Sequence, residues 1–221
     1  LHGANPDIRV DVHPHIGSNK LPGILEKIRH TILHYGGELH FGTRMTDFIV
    51  ENGEIEKILT NKGEFVAQNL ILATGHSARD IYLLFAKKSL QIHLKEFAIG
   101  LRIEHPQSVI DEIQYKMGKR PDYLPPASYS LSCQISGRGV FSFCMCPGGL
   151  IIPAATSPGE IVVNGMSLSR RDSPFANSGM VSSVDQKDFK SYENQGPLQG
   201  MHYQADLEKR IFDLGDGSQR A

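Results

Sequence analysis

The sequence predicts a mixed fold of the α+β or α/β kind, built in two parts. Three observations predict it. Asn52-Gly53 and Asn61-Lys62-Gly63 punctuate a stretch of alternating residues, the pattern of an antiparallel meander. Asn69-Leu70-Ile71-Leu72-Ala73 is almost continuously apolar, the mark of a strand buried on both faces. Beyond residue 87, short β-type segments alternate with Gly- and Pro-rich links, which predicts a mostly antiparallel block.

The elements follow in order. Residues 7–12 alternate polar and apolar and read as a short strand, with His13-Pro14-His15-Ile16-Gly17 as a loop after it. A helix comes next. Asn19 is placed to cap it, Pro22 stands in its first turn, and Leu21, Ile24, Leu25, Ile28, Ile32 and Leu33 fall on one face. Gly36-Gly37 ends it. Strands are expected at 38–41, 47–51, 54–60 and 64–67, then the buried strand over 69–73. Ser77 and Asp80 have the spacing of a capping box, opening a helix with Ile81, Leu84 and Phe85 inward.

In the second part, residues 97–103 read as a strand with a close approach at Gly100. Pro106 opens a helix to about Lys116, with Val109, Ile110 and Ile113 inward. Short strands are expected at 129–135, 140–146, 150–153 and 160–166, linked by Gly137-Arg138-Gly139, Pro147-Gly148-Gly149 and Ser157-Pro158-Gly159. A last helix spans roughly 198–212.

Composition excludes several function classes. Lys plus Arg number 23 and Asp plus Glu 24 among 221 residues, a net charge of -1, so no field of one sign draws in nucleic acid or an anionic membrane. No stretch approaches the apolar length of a membrane span. Three cysteines are too few for a disulfide framework, and a cytoplasmic location is expected. No paired carboxylates suggest glycosidase chemistry, and no Gly-x-Ser-x-Gly elbow occurs. The opening Leu1-His2-Gly3-Ala4-Asn5-Pro6 has neither the basic nor the apolar region of a signal peptide and reads as the interior of a longer polypeptide, or as a processed start.

A few residues are placed for chemistry. Ala73 and Gly75 remove bulk where the apolar run ends and Thr74 adds a hydroxyl, which suits a ligand at a sheet's carboxyl edge and equally an ordinary strand–helix turn. Arg102, in an otherwise apolar strand, either holds a substrate carboxylate bidentately or faces solvent. Asn177-Ser178-Gly179 lines a ligand cleft or forms a turn. Cys144 and Cys146 would face one side of a strand, as a redox pair or as small buried residues. With His13 and His15 they supply four potential zinc ligands, but the His-Pro-His spacing is unusual and nothing in the sequence brings the two pairs together, so no metal site is expected.

The order of helix, Gly-Gly, strand, hairpin, turn and Ile71-Leu72-Ala73-Thr74-Gly75 resembles the flavoprotein fold of the glutathione-reductase type. Pro14–Gly17, Ala73–Asp80, Gly100–Pro106, Cys144–Gly149 and Asn177–Gly179 are together similar to a family of bacterial FAD-dependent dehydrogenases. The resemblance implies an FAD-dependent oxidoreductase moving hydride through the flavin, with NAD(P)H a candidate electron donor and a small molecule as substrate. It implies that residues 1–86 are the rear of an FAD-binding domain, 87–205 an inserted substrate or cap domain, and 206–221 a returning helix and tail. It puts Met45, Ala73, Thr74 and Gly75 beside FAD, although core packing accounts for Met45 equally well. It leaves Arg102, Gly148, Gly149 and Asn177 for the substrate cleft. The competing reading is a noncatalytic β-rich module that binds a small molecule or a protein.

The Gly-x-Gly-x-x-Gly turn that cradles a dinucleotide pyrophosphate is not in the sequence. The 221-residue chain alone is therefore expected to hold FAD weakly or not at all. A visible spectrum of the purified chain mixed with FAD and desalted checks this: the flavin bands should be lost, and a stoichiometric yellow complex would overturn the expectation.

Overall fold

The computed structural model describes residues 2–218. The chain forms two compact units, one of residues 29–92 and one of the segments before 29 and after 92. It is an α+β protein whose three sheets are antiparallel throughout.

Helix α1 (Leu21–His34) forms as its periodicity predicts, ending before Gly36, which takes φ 81°. Its apolar stripe is largely open, with Leu25 63% and Leu33 50% exposed, although Ile24 is half-buried. Asn19 does not cap it; its amide instead bonds Ser169, accepting from the backbone N–H at 2.9 Å. Residues 7–12 are not a strand either. Pro6–Arg9 make one turn of 3-10 helix, with Val10 and Val12 exposed, because no neighbouring strand pairs with the alternating run.

In the unit of residues 29–92, β1 (Met45–Glu51), β2 (Glu54–Thr60) and β3 (Gly63–Val66) form the expected meander in the order β1-β2-β3. Asn52 and Gly53 both take positive φ, 52° and 83°, as a primed hairpin turn requires. Helix α2 (Arg79–Lys87) buries Ile81, and Phe48 meets Phe85 edge to face at 6.1 Å. Lys88 stitches this core, bonding Asp47 at 2.7 Å and the Phe48 carbonyl at 3.1 Å.

Three expectations in this unit fail. Residues 38–41 are not a strand. Residues 69–73 are not a strand, and Ile71 is 91% exposed. A continuous apolar run becomes a doubly buried strand only between two hydrogen-bonding neighbours, and the described residues supply none. Ser77 caps nothing: Ala78 is the N-cap of α2, and the Ser77 hydroxyl bonds the ring of His76 at 3.1 Å.

The other unit is organised by a four-stranded sheet of order β4-β9-β6-β5, made of β4 (Phe97–Pro106), β5 (Ser132–Ile135), β6 (Arg138–Cys146) and β9 (Phe175–Val184). A two-stranded ribbon, β7 (Gly149–Pro153) with β8 (Val163–Ser167), completes it. Gly100 makes the expected close approach, since a Cβ there would collide with the Met180 carbonyl of β9. Helix α3 (Gln107–Tyr115) buries Ile110 against Ala127 and Ala176, while Val109 and Ile113 are exposed, contrary to the face predicted. A second packing centre is Phe189, stacked on Phe97 at 5.4 Å and edge-on to Tyr203 of α4 (Gln199–Leu214) at 5.3 Å.

Strand β9 runs through Asn177-Ser178-Gly179, which is neither a turn nor a loop. Its sequence, Phe-Ala-Asn-Ser-Gly-Met-Val-Ser-Ser-Val, is too polar and small to announce a strand. Pairing on both edges holds it, and its small residues let neighbouring side chains cross it.

At the far end of β6, Arg138 grips the Asp188 carboxylate with two nitrogens, at 2.6 and 2.7 Å, and Asp188 also accepts from the Asp185 N–H at 2.9 Å. The Arg138 hydrogen bond, the backbone bond and the positive charge lower the Asp188 pKa to about 2. A depressed carboxylate stabilises the fold above the unfolded pKa, near 3.9, and that stability is lost as pH falls toward 2. Asp188→Asn should therefore lower the melting temperature at pH 6, with the two proteins converging by about pH 2, measured by thermal denaturation across that range.

Candidate functional site

The sheet of β4, β9 and β6 places paired residues of neighbouring strands on the same face. Arg102 pairs with Gly179, and Gly179 with Phe143, so no β9 side chain blocks the Arg102 guanidinium. Its Nη1 reaches the Asn177 side-chain oxygen and the Cys144 carbonyl, the latter at 3.2 Å. Asn177 is fully buried, and its Nδ2 donor has no partner. Strand β8 lies over this point. A Cβ on Gly165 would run into Arg102 Nη1, Asn177 Oδ1 and, at 2.7 Å, Cys146 Sγ. Glycine is thus required at 165 for the ribbon to close over the arginine–asparagine pair.

A bulge in β6 alters the two cysteines. Register shifts between Phe143 and Cys146, and Cys144 takes φ 45°. Cys144 is exposed and Cys146 half-buried, so they do not share a face as the simple alternation predicted; all three cysteines are free thiols. No group of three or more His, Cys, Asp or Glu suited to a metal occurs among the described residues.

The turn after Cys146 is buried and tightly packed. A Cβ on Gly148 would collide with the Arg171 carbonyl, and one on Gly149 would come within 2.6 Å of the Met166 carbonyl. Backbone against backbone is what demands glycine at both positions. Gly148 N–H donates to Gln107 Oε1 at 2.7 Å. Gln107 in turn donates to Asp111 at 2.8 Å and to the Ala127 carbonyl at 3.0 Å. Asp111 also accepts from the Ala127 N–H at 2.8 Å and from Arg120 at 2.9 Å. Burial opposes the charge on Asp111, but these hydrogen bonds and the Arg120 cation outweigh it and hold its pKa below the usual value. Arg171 sits near Cys146 with its Nε buried and unpartnered, and burial lowers its pKa.

The opening loop joins the same place. His15 bonds the Leu168 carbonyl at 2.9 Å through Nε2, and Ser18 N–H bonds the Ser167 carbonyl at 3.0 Å. Gly17 packs so closely on Ser169 that any side chain would clash. Four of the ordered motifs, 14–17, 100–106, 144–149 and 177–179, therefore converge in one unit, with Arg102 and Asn177 in direct contact and Gly148 and Gly149 a few residues away across Cys146. Met45, Ala73, Thr74 and Gly75 belong to the other unit. Met45 is half-buried at the start of β1 and pairs with Thr60, whereas Ala73, Thr74 and Gly75 are exposed. Gly165, Gln107 and Asp111 went unnoticed in the sequence. A glycine inside the strand predicted over 160–166 was the one available signal of a close approach there.

Along the free edge of β4 runs a cleft of about 370 Å³, bounded by residues 97–102, by 161–163 and by one side of α4. No helix among the described residues is long and apolar enough to cross a membrane.

These features define a β-rich domain with a half-buried guanidinium beside an apolar cleft. Residues 96–221 match the family described as FAD-dependent protein, C-terminal domain-like, and the chain belongs to that family. It is also similar to an uncharacterised protein of Clostridium beijerinckii, 39% identical over 221 residues. That alignment covers 99% of this chain and 41% of the relative, so the chain spans well under half the relative's length.

Replacing Gln107 with Leu would leave Gly148 N–H without its acceptor and take a donor from Asp111. Each buried polar group stranded in this way costs roughly 1–3 kcal/mol. Gln107→Leu should thus lower stability by about 2–4 kcal/mol in urea denaturation.

Proposed function

We propose that this chain is part of an FAD-dependent oxidoreductase, with the β4–β9–β6 unit forming the substrate side of its active site. The meeting of three sequence motifs, 100–106, 144–149 and 177–179, at Arg102 and Asn177, within the span that matches the FAD-dependent family, carries this reading. The residues expected near FAD fit a ligand that approaches backbone. Gly75 takes φ 77°, with open space where a Cβ would stand, and Thr74 beside it is exposed. These residues would border the cofactor from one side, with the phosphate cradle furnished by sequence not present here.

Bound FAD supplies hydride acceptance. The chain's own part is binding and orientation. Arg102, held by Asn177 and by the Cys144 carbonyl, keeps a fixed positive charge at one end of the cleft and fixes an anionic group of the substrate there. Closure of β8 over Gly165 shields that charge from water on one side, which strengthens its pull. The apolar surface left open at α1 and at residues 69–73 is covered, in this reading, by the remainder of the full-length protein.

The test is purification of the full-length parent. Flavin bands in its spectrum, with FAD recovered on denaturation, are expected, and Gly75→Val should reduce flavin occupancy at least several-fold. A parent that purifies colourless and takes up no added FAD would sink this reading and leave the noncatalytic binding module in its place.

A further inference from the structure

We infer that the cleft beside β4 binds a monocarboxylate with an apolar body, the carboxylate seated toward Arg102 and the chain or ring lying along α4. The inference deepens the proposed function, and rests on it only in calling this ligand the substrate. Strand β4 is an edge strand, bonded to β9 on one side alone, and its residues 97–102 form one wall of the cleft. Across from them stand Val163, Leu207 and Ile211, and Phe97, Ile99 and Leu101 add apolar surface on the strand side. The volume, about 370 Å³, lies at the lower end of the small-molecule range of roughly 300–1,000 Å³.

Arg102 is the only cation lining the cleft among the described residues, and it ends the stretch of β4 that borders it. Among the described residues it donates through Nη1 to neutral acceptors, an amide oxygen and a backbone carbonyl. No carboxylate neutralises it in any ion pair described. The fork of a guanidinium engaged through one nitrogen keeps Nη2 and Nε for a planar, bidentate partner, and a carboxylate matches that geometry. Asn177, fully buried, accepts from Nη1 and so fixes the guanidinium in place. One cation suits a monoanion better than a dianionic phosphate. The remaining charged group in the lining is Glu208 on α4, whose carboxylate accepts from Gln204 at 2.6 Å.

The 221-residue chain without flavin serves for the test, so that a failure here is separate from a colourless parent. Octanoate is the probe and octanamide its uncharged match, with binding followed by saturation-transfer NMR and calorimetry. Octanoate should bind at least tenfold tighter than octanamide. Arg102→Gln should remove that preference, and Leu207→Trp, which fills the cleft from the α4 side, should abolish binding of both at unchanged circular dichroism. Equal affinity for the two probes, no binding of either, or octanoate binding that survives Leu207→Trp would overturn the inference. If Arg102→Gln fails to fold, raising the salt concentration on the unaltered chain replaces it: the preference for octanoate should shrink several-fold, and a salt-independent preference would overturn the inference.

Discussion

The guanidinium of Arg102 lies across β9, and the architecture of its unit is arranged around that crossing. An arginine drawn into a sheet interior must find acceptors, since an unsolvated charge without partners is costly. It finds them in Asn177 and in a carbonyl that the β6 bulge exposes. For β8 to close over the side chain, glycine is needed at 165, while a Cβ at Gly179, its partner on β9, would come within 3.2 Å of the Phe143 carbonyl. The bulge in β6 and the glycine in β8 are thus two responses to one half-buried charge. The Gln107–Asp111 network performs the corresponding task on the next turn, satisfying the Gly148 N–H where the chain leaves β6.

Legibility in the sequence followed the range of the forces involved. The meander of residues 45–66, helix α1, the long final helix and the close approach at Gly100 were all readable, because turn chemistry and periodicity act within a few residues. Strand β9 was not, because Asn177 answers to a neighbour 75 residues away in sequence and Ser178 to one 35 residues away. Residues 69–73 failed in the opposite direction. Their pattern is that of a sheet interior, and in the described residues no such interior surrounds them.

The candidate site was legible in the same partial way. Arg102 stood out as a charge in an apolar strand, and Asn177 as a polar group in a short motif, and the fold puts the two in contact. Gly148 and Gly149 were read as lining a cleft. They are buried, and their lack of side chains serves the approach of Arg171 and Met166. Single-sequence reasoning identifies an unusual residue more readily than the direction of the space it faces. The family match over residues 96–221 falls on the unit that carries this contact, so shared sequence and buried polar geometry mark the same region.

Gln107 binds the first turn of α3, the segment at Ala127 and the amide of Gly148 at once. Three segments distant in sequence are thus tied through one side chain, so the loss of Gln107 would untie the start of the helix, the Ala127 segment and the corner between β6 and β7 together.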